Sequence, residues 1–239
     1  MITSIDINKV LFIDIETVPI VYNFDSLSKD MKDIWKKKMV FLKNDEITYS
    51  DLYRKKAGLM AEFSKVICVS VGHVLSKQSR DSIRIKSFYG DDEYKILSEV
   101  ISLLNKTIEN KKYNICAHNG KEFDFPFLSK RIIINGLKLP KILDISGKKP
   151  WEINHLDTME LWRFGDYKNY ISLKLLSKLF NIPNPKEDIE GSQVSKIYYE
   201  EKDLERIKKY CEKDTLTVAQ IMLKFQGKPI IKDDHIELV

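Results

Sequence analysis

The chain has 239 residues, 43% of them hydrophobic, and a net charge of +5. That apolar content suits a sizeable core, and so small a charge permits a polyanionic partner without demanding one. No apolar run reaches the length of a membrane span, and no basic start leads into an apolar signal stretch, so a protein working in the cytoplasm, with no membrane partner, is expected. There is no Pro/Gly/Ser-rich linker, low-complexity tract or internal repeat, and residues 1–239 are expected to form a single domain. Cys68, Cys116 and Cys211 sit in two strand-like runs and one helix-like run. Their odd number points to buried free thiols in a reducing compartment.

In chain order, Val10–Val18 is an apolar, strand-like run broken only by acids and one threonine. Residues 20–64 follow as a long insertion, with Leu27, Met31, Ile34 and Trp35 at helical spacing and lysines at 36–38 and 55–56. Such a length is too great for a plain hairpin loop and predicts a helical excursion. Val66–Leu75 and Ser82–Tyr89 alternate as strands should. Asp91–Asn110 carries an apolar stripe of helical period after an acidic first turn. Tyr113–Ala117 reads as a short strand ending at the turn signal Asn119-Gly120, and Lys121–Asn135 as a helix stopping before Gly136. Beyond Asp157 the pattern is helical, near 158–163, 172–180, 191–199 and 201–225. A β-α-β step among early strands implies a parallel pair and the α/β class.

Acidic residues recur in four short segments: D-I-E-T at 14–17, H-N-G-K-E-F-D-F-P-F-L at 118–128, H-L-D-T at 155–158 and Y-C-E-K-D at 210–214. In a strand, Asp14 and Glu16 project to one face; two like charges on a buried face call for a cation, while at a strand end both would simply reach solvent. Asp124 falls near a helix start, where an acid also suits the helix dipole. Tyr210 and Asp214, four apart on a helix, share a face. Asp157 with Glu160 reads as a capping box. His118 and His155 read as satisfied or exposed imidazoles.

In order, spacing and flanking residues these segments resemble the DEDD superfamily of 3′–5′ exonucleases, most closely the proofreading exonuclease domain of family B DNA polymerases in a stand-alone bacterial form. The first motif is matched by Phe12-Ile13-Asp14-Ile15-Glu16-Thr17, the second from Asn119 through Leu128, and the third by Tyr210-Cys211-Glu212-Lys213-Asp214. The tyrosine marks the DEDDy branch; the histidine of the DEDDh branch would fall where Lys209 stands. Ser172–Val194 also resembles the stand-alone relatives. The resemblance implies a ribonuclease H-like fold with a mixed five-stranded sheet flanked by helices, strands one to three as an antiparallel meander and the fourth parallel to the first.

It further implies release of nucleoside 5′-monophosphates from the 3′ end of nucleic acid, with single-stranded DNA favoured over RNA. Asp14, Glu16, Asp124 and Asp214 would hold two divalent metal ions, Mg²⁺ or Mn²⁺, and Tyr210 would orient the attacking water. Thr17 and Asn119 would contact the terminal nucleotide. Lys36, Lys37 and Lys38 are candidates for gripping upstream phosphates, with a solvated helix face as the alternative. No polymerase segment accompanies the motifs, so proofreading is expected to act in trans, with DNA replication or repair proteins as the partners to consider. An exoribonuclease and a silent nucleic-acid-binding module are the other readings.

Overall fold

The computed structural model describes residues 2–77, 80–108, 113–183 and 189–239. Its centre is a six-stranded sheet of order β5-β4-β1-β2-β3-β6, in which the strands are β1 (Val10–Pro19), β2 (Ser64–Lys77), β3 (Arg80–Tyr89), β4 (Asn114–Ala117), β5 (Leu156–Asp157) and β6 (Ile236–Leu238). β1, β2 and β3 form the antiparallel meander, and β4 runs parallel to β1. This architecture is compatible with a ribonuclease H-like exonuclease fold.

The sheet has six strands where five were expected. The sixth, β6, pairs in parallel with Ile83–Ile85 at the far edge. Three residues are too few to carry a readable period. Their pairing comes from the open backbone groups of the β3 edge, reinforced by an Arg84–Glu237 bond at 2.9 Å. The two-residue β5 is equally silent in pattern and is defined by its register against Cys116 and Ala117.

Eight helices surround this sheet among the described residues: α1 (Lys29–Met39), α2 (Tyr49–Lys56), α3 (Glu93–Ile108), α4 (Asp124–Ile134), α5 (Thr158–Arg163), α6 (Leu173–Leu179), α7 (Val194–Lys196) and α8 (Leu204–Phe225). One face of β1 (Leu11, Ile13, Ile15) packs with Leu97, Val100 and Leu104 of α3 and Leu128 and Ile132 of α4. The other (Val10, Phe12) packs on Val218, Ala219 and Met222 of α8. Asp14 and Glu16 share this second face by strand alternation. α7 runs into a π-helical turn, Ile197–Glu201. Within Ser172–Val194, residues 184–188 lie outside the described residues.

The segment between β1 and β2 folds as α1 and α2 around a core of its own, including Phe24, Leu27, Trp35, Met39, Tyr53 and Phe63. Trp35 meets Tyr53 and Phe63 edge-on. Ile34, expected on the buried stripe, is 52% exposed. The inward row is Met31, Trp35 and Met39, spaced by four, and Ile34 falls outside it. α4 begins three residues later than the expected Lys121, because Asn119 takes a left-handed φ of 62° and the chain turns before it coils. Its C-terminus closes as expected: Gly136 at φ 69° donates to Ile133, and Leu137 donates to Ile132.

Candidate active site

Three elements deliver the acids. β1 supplies Asp14 and Glu16, α4 supplies Asp124 from its first turn, and α8 supplies Tyr210 and Asp214. α8 is set onto the sheet by close packing. A Cβ on Gly72 of β2 would stand 3.0 Å from the Thr215 methyl, so only glycine lets the helix approach at the residue after Asp214. The Cys211 thiol donates to the Asp14 carbonyl at 3.3 Å. α4 is brought close by Gly120, where a Cβ would lie 2.4 Å from that of Ala117.

Glu16 and Asp124 are buried, and Asp14 and Asp214 are partly so. Burial raises the Asp14 carboxyl well above the ordinary range, and the charges of Asp214, Glu16 and Asp124 push it further. Glu16 is raised by burial, then by Asp214, Cys68 and Asp124. Asp124 is raised to about 7, chiefly by burial, against bonds from its own and the Ile15 backbone that favour the charged form. Tyr210 is bonded to Asp214. Burial and then the neighbouring acids hold its hydroxyl above the ordinary phenol range, so it keeps its proton at neutral pH. The structure therefore brings all five residues singled out in the motifs into one interacting cluster. Tyr210 and Asp214 also line a cleft of about 210 Å³ with Ser172, Lys174 and Glu190.

The cluster is suited to cations. Oδ2 of Asp14 is buried without a hydrogen-bond partner. One ligand atom each from Asp14, Glu16 and Cys211 lies within 4.8 Å of the others. Oxygens that repel each other and lack donors are what hard divalent ions satisfy. Cys211 was not singled out among the site residues, although it stands inside the motif that supplies Tyr210 and Asp214.

The remaining candidates fall elsewhere. Asn119 gives its backbone N–H to Asp157 at 3.0 Å, and its Oδ1 is buried and unpartnered. Thr17 donates its hydroxyl to the Gly58 carbonyl at 2.6 Å, tying β1 to the end of the inserted segment. Lys36, Lys37 and Lys38 are exposed in the last turn of α1, where cations suit the negative end of the helix dipole.

Asp157 caps α5 as expected, and one carboxylate takes the backbone N–H groups of Asn119, Lys121, Met159 and Glu160. Glu160 does not complete a capping box; it pairs with Lys121 at 2.5 Å, because the Lys121 side chain crosses from the turn before α4. His118 is satisfied, between Thr158 and the Ile171 carbonyl, and burial lowers its pKa. His155 is neither exposed nor fully satisfied. Burial lowers it to about 4, and its Nε2 lacks a partner because it is wedged edge-on against Phe125. The three cysteines are buried free thiols.

A family model described as a predicted 3′–5′ exonuclease related to the exonuclease domain of PolB matches residues 59–229. The chain belongs to that family. The match takes in Asp124, Tyr210 and Asp214 and begins after the strand that carries Asp14 and Glu16. The fold joins the two parts, since β1 lies between β2 and β4, both inside the matched residues. Among the described residues no helix is long and apolar enough to cross a membrane.

Proposed function

We propose that residues 1–239 form one metal-dependent exonuclease domain that hydrolyses the terminal phosphodiester at a 3′ end, preferring single-stranded DNA and releasing nucleoside 5′-monophosphates. The observation that supports this most is the cluster itself: four mutually repelling carboxylates, one with an orphaned oxygen, beside a tyrosine that keeps its proton. Asp14, Glu16 and Asp214 would hold one divalent ion and Asp14 and Asp124 a second. Mg²⁺ or Mn²⁺ bound there neutralises the carboxylates and offsets the charge that develops on the reacting phosphate.

The chain's own groups then do the positioning. Tyr210 is too weak an acid to serve as a base at neutral pH, and its hydroxyl orients the attacking water while Asp214 fixes the ring's direction. The buried Oδ1 of Asn119 accepts from the terminal nucleotide, and Thr17 borders the same end of β1. Lys36, Lys37 and Lys38 attract the upstream backbone. The test is a 5′-labelled oligonucleotide with added Mg²⁺ or Mn²⁺. Stepwise shortening that stops with EDTA is expected, faster on DNA than on the matched RNA. Shortening that survives chelation would overturn the metal assignment, and faster cleavage of RNA would reverse the substrate.

A further inference from the structure

A second cleft, of about 260 Å³, is lined by Asn119, Asp157, Lys148, Ile153 and Arg163 among others. Asn119 and Lys121 of its lining stand in the turn that leads into Asp124, so this cleft lies at the start of α4. Two of its three acids are engaged, Asp157 by four backbone N–H groups and Glu160 by Lys121, and the third, Glu122, is exposed. Two buried polar atoms at its lining, Oδ1 of Asn119 and Nε of Arg163, have no partner.

Exposed aromatics follow the lining residue Arg163. After α5 the chain reads Phe164-Gly165-Asp166-Tyr167-Lys168-Asn169-Tyr170, and the rings are 81%, 75% and 70% exposed. Trp151, two residues before the lining residue Ile153, is 76% exposed, with the Lys149 ammonium 5.3 Å from its ring centre. These rings are displayed by an organised loop. Asp166 accepts from Lys168 and Asn169, the Arg163 guanidinium lies 5.0 Å over the Tyr170 ring, and Ile171 is tied to His118. Phe164 sits at a φ of 45°, a conformation unfavourable for a bulky side chain, with its ring in solvent. Neighbouring Trp162 does the opposite, packing against Phe180 and Phe225. A loop that holds three large rings outward, at the expense of burial available two residues before it, presents flat faces for a ligand to use.

We propose that Phe164, Tyr167, Tyr170 and Trp151, with Arg163 and Lys148, form a base-stacking platform that holds an unpaired nucleic-acid strand upstream of the bond to be cut. The occupant follows from the pairing of aromatic faces with cations beside them, which is how single strands are gripped without sequence preference. A duplex keeps its bases stacked on each other and cannot offer their faces. The proposal rests on the exonuclease reading and specifies its substrate as a strand already single. DNA and RNA share the stacking chemistry, and the experiment separates them.

Binding is measured in EDTA, so that cleavage plays no part, by fluorescence anisotropy of labelled DNA and RNA strands of about 12 nucleotides, within the length such a platform spans. Wild type is expected to bind a single strand and to prefer it over the matched duplex. Phe164→Ala should weaken binding about tenfold, the loss of one stacked base. Phe164→Trp should restore it, and Phe164→Leu, equally apolar but without a flat face, should not. All of these positions are exposed, and unchanged thermal unfolding checks the fold. Equal affinity of Phe164→Ala and Tyr167→Ala with wild type, or a preference for duplex, would overturn the platform and leave the exonuclease reading intact. Wild type that binds but never shortens the strand with Mg²⁺ would support the platform and sink the exonuclease. Failure of wild type to bind any strand, or self-association through these rings in its place, would overturn the platform.

Discussion

Glu93 and Asp14 are both acids packed into this protein, and they are treated in opposite ways. The Glu93 carboxylate takes two bonds from Arg131, one from Asn135 and one from the Val66 N–H. Arg131 gives its remaining arm to the Ala61 carbonyl. α3, α4, β2 and the end of the inserted segment are thereby pinned at one point. Asp14 sits among three further carboxylates, and one of its oxygens has no donor. A buried charge with every lone pair answered holds a fold together; buried charges that repel each other oppose folding and persist where a cation answers them.

The comparison breaks most visibly in turnover. Asp14→Ala or Asp124→Ala should lose exonuclease rate by several orders of magnitude, because the cations are no longer held against the phosphate. The same changes should leave metal-free stability unchanged or raised, as a repelling charge is removed. A metal-free Asp14→Ala protein that unfolds at a markedly lower temperature than wild type would put Asp14 with Glu93 as a structural acid.

Arg131→Met should do the reverse. It strands Glu93 and should cost about 3–5 kcal/mol of stability by denaturant unfolding. Adding Glu93→Gln should recover part of that loss, since the stranded group is no longer charged. No recovery in the double variant would mean that packing by the arginine stem, not charge pairing, holds this junction.

Tyr210→Phe keeps the ring and removes one hydroxyl. Its rate should fall about 10–1000-fold, the scale of one oriented hydrogen bond to the reacting group. A rate equal to wild type would remove Tyr210 from the mechanism.

The motif positions were legible through their resemblance to a known family, and local geometry added only which of them share a face. Asp14 and Glu16 follow strand alternation, and Tyr210 and Asp214 follow the helix turn. Long-range partners leave no such trace. Glu93 and Arg131 are 38 residues apart, and nothing local marks them as a pair. β5 and β6 are too short to show a period and exist by pairing with edges formed elsewhere. The exposure of Phe164 and its neighbours was hidden as well. Phe164, Tyr167 and Tyr170 fall between the helical stretches at 158–163 and 172–180, where no period says which way a side chain faces, and the chain turns through positive φ at Phe164 and Gly165.

Acid and base should separate the two regions further. Asp124 holds its proton up to about 7 in the folded chain, against an ordinary 3.8. Folding therefore favours the protonated form, and the stability this contributes is full below about pH 4 and lost as pH rises through about 7. Without metal, the unfolding temperature should fall from pH 5 to pH 8, and Asp124→Asn should flatten that fall. Mg²⁺ should restore stability at pH 8 and do little at pH 5, where protons compete for the same oxygens. A wild-type profile that stays level without metal would mean that the carboxylates do not strain the fold.

The smallest expected effect tests the acid that stands between the two kinds. Asp157 lies near the cluster and raises Asp124 by its charge, yet its oxygens are taken up by four backbone N–H groups. That places it with Glu93 as a structural carboxylate. Asp157→Asn keeps one accepting oxygen, so the helix cap survives. The amide that replaces the other oxygen would face the Lys121 N–H, and one bond is lost. A cost of about 1 kcal/mol is expected in denaturant unfolding. Turnover per folded molecule should change little. A folded Asp157→Asn protein with turnover reduced as far as Tyr210→Phe would move Asp157 into the catalytic set. The neighbouring Asn119, which Asp157 positions through its backbone, would then need to be tested with it.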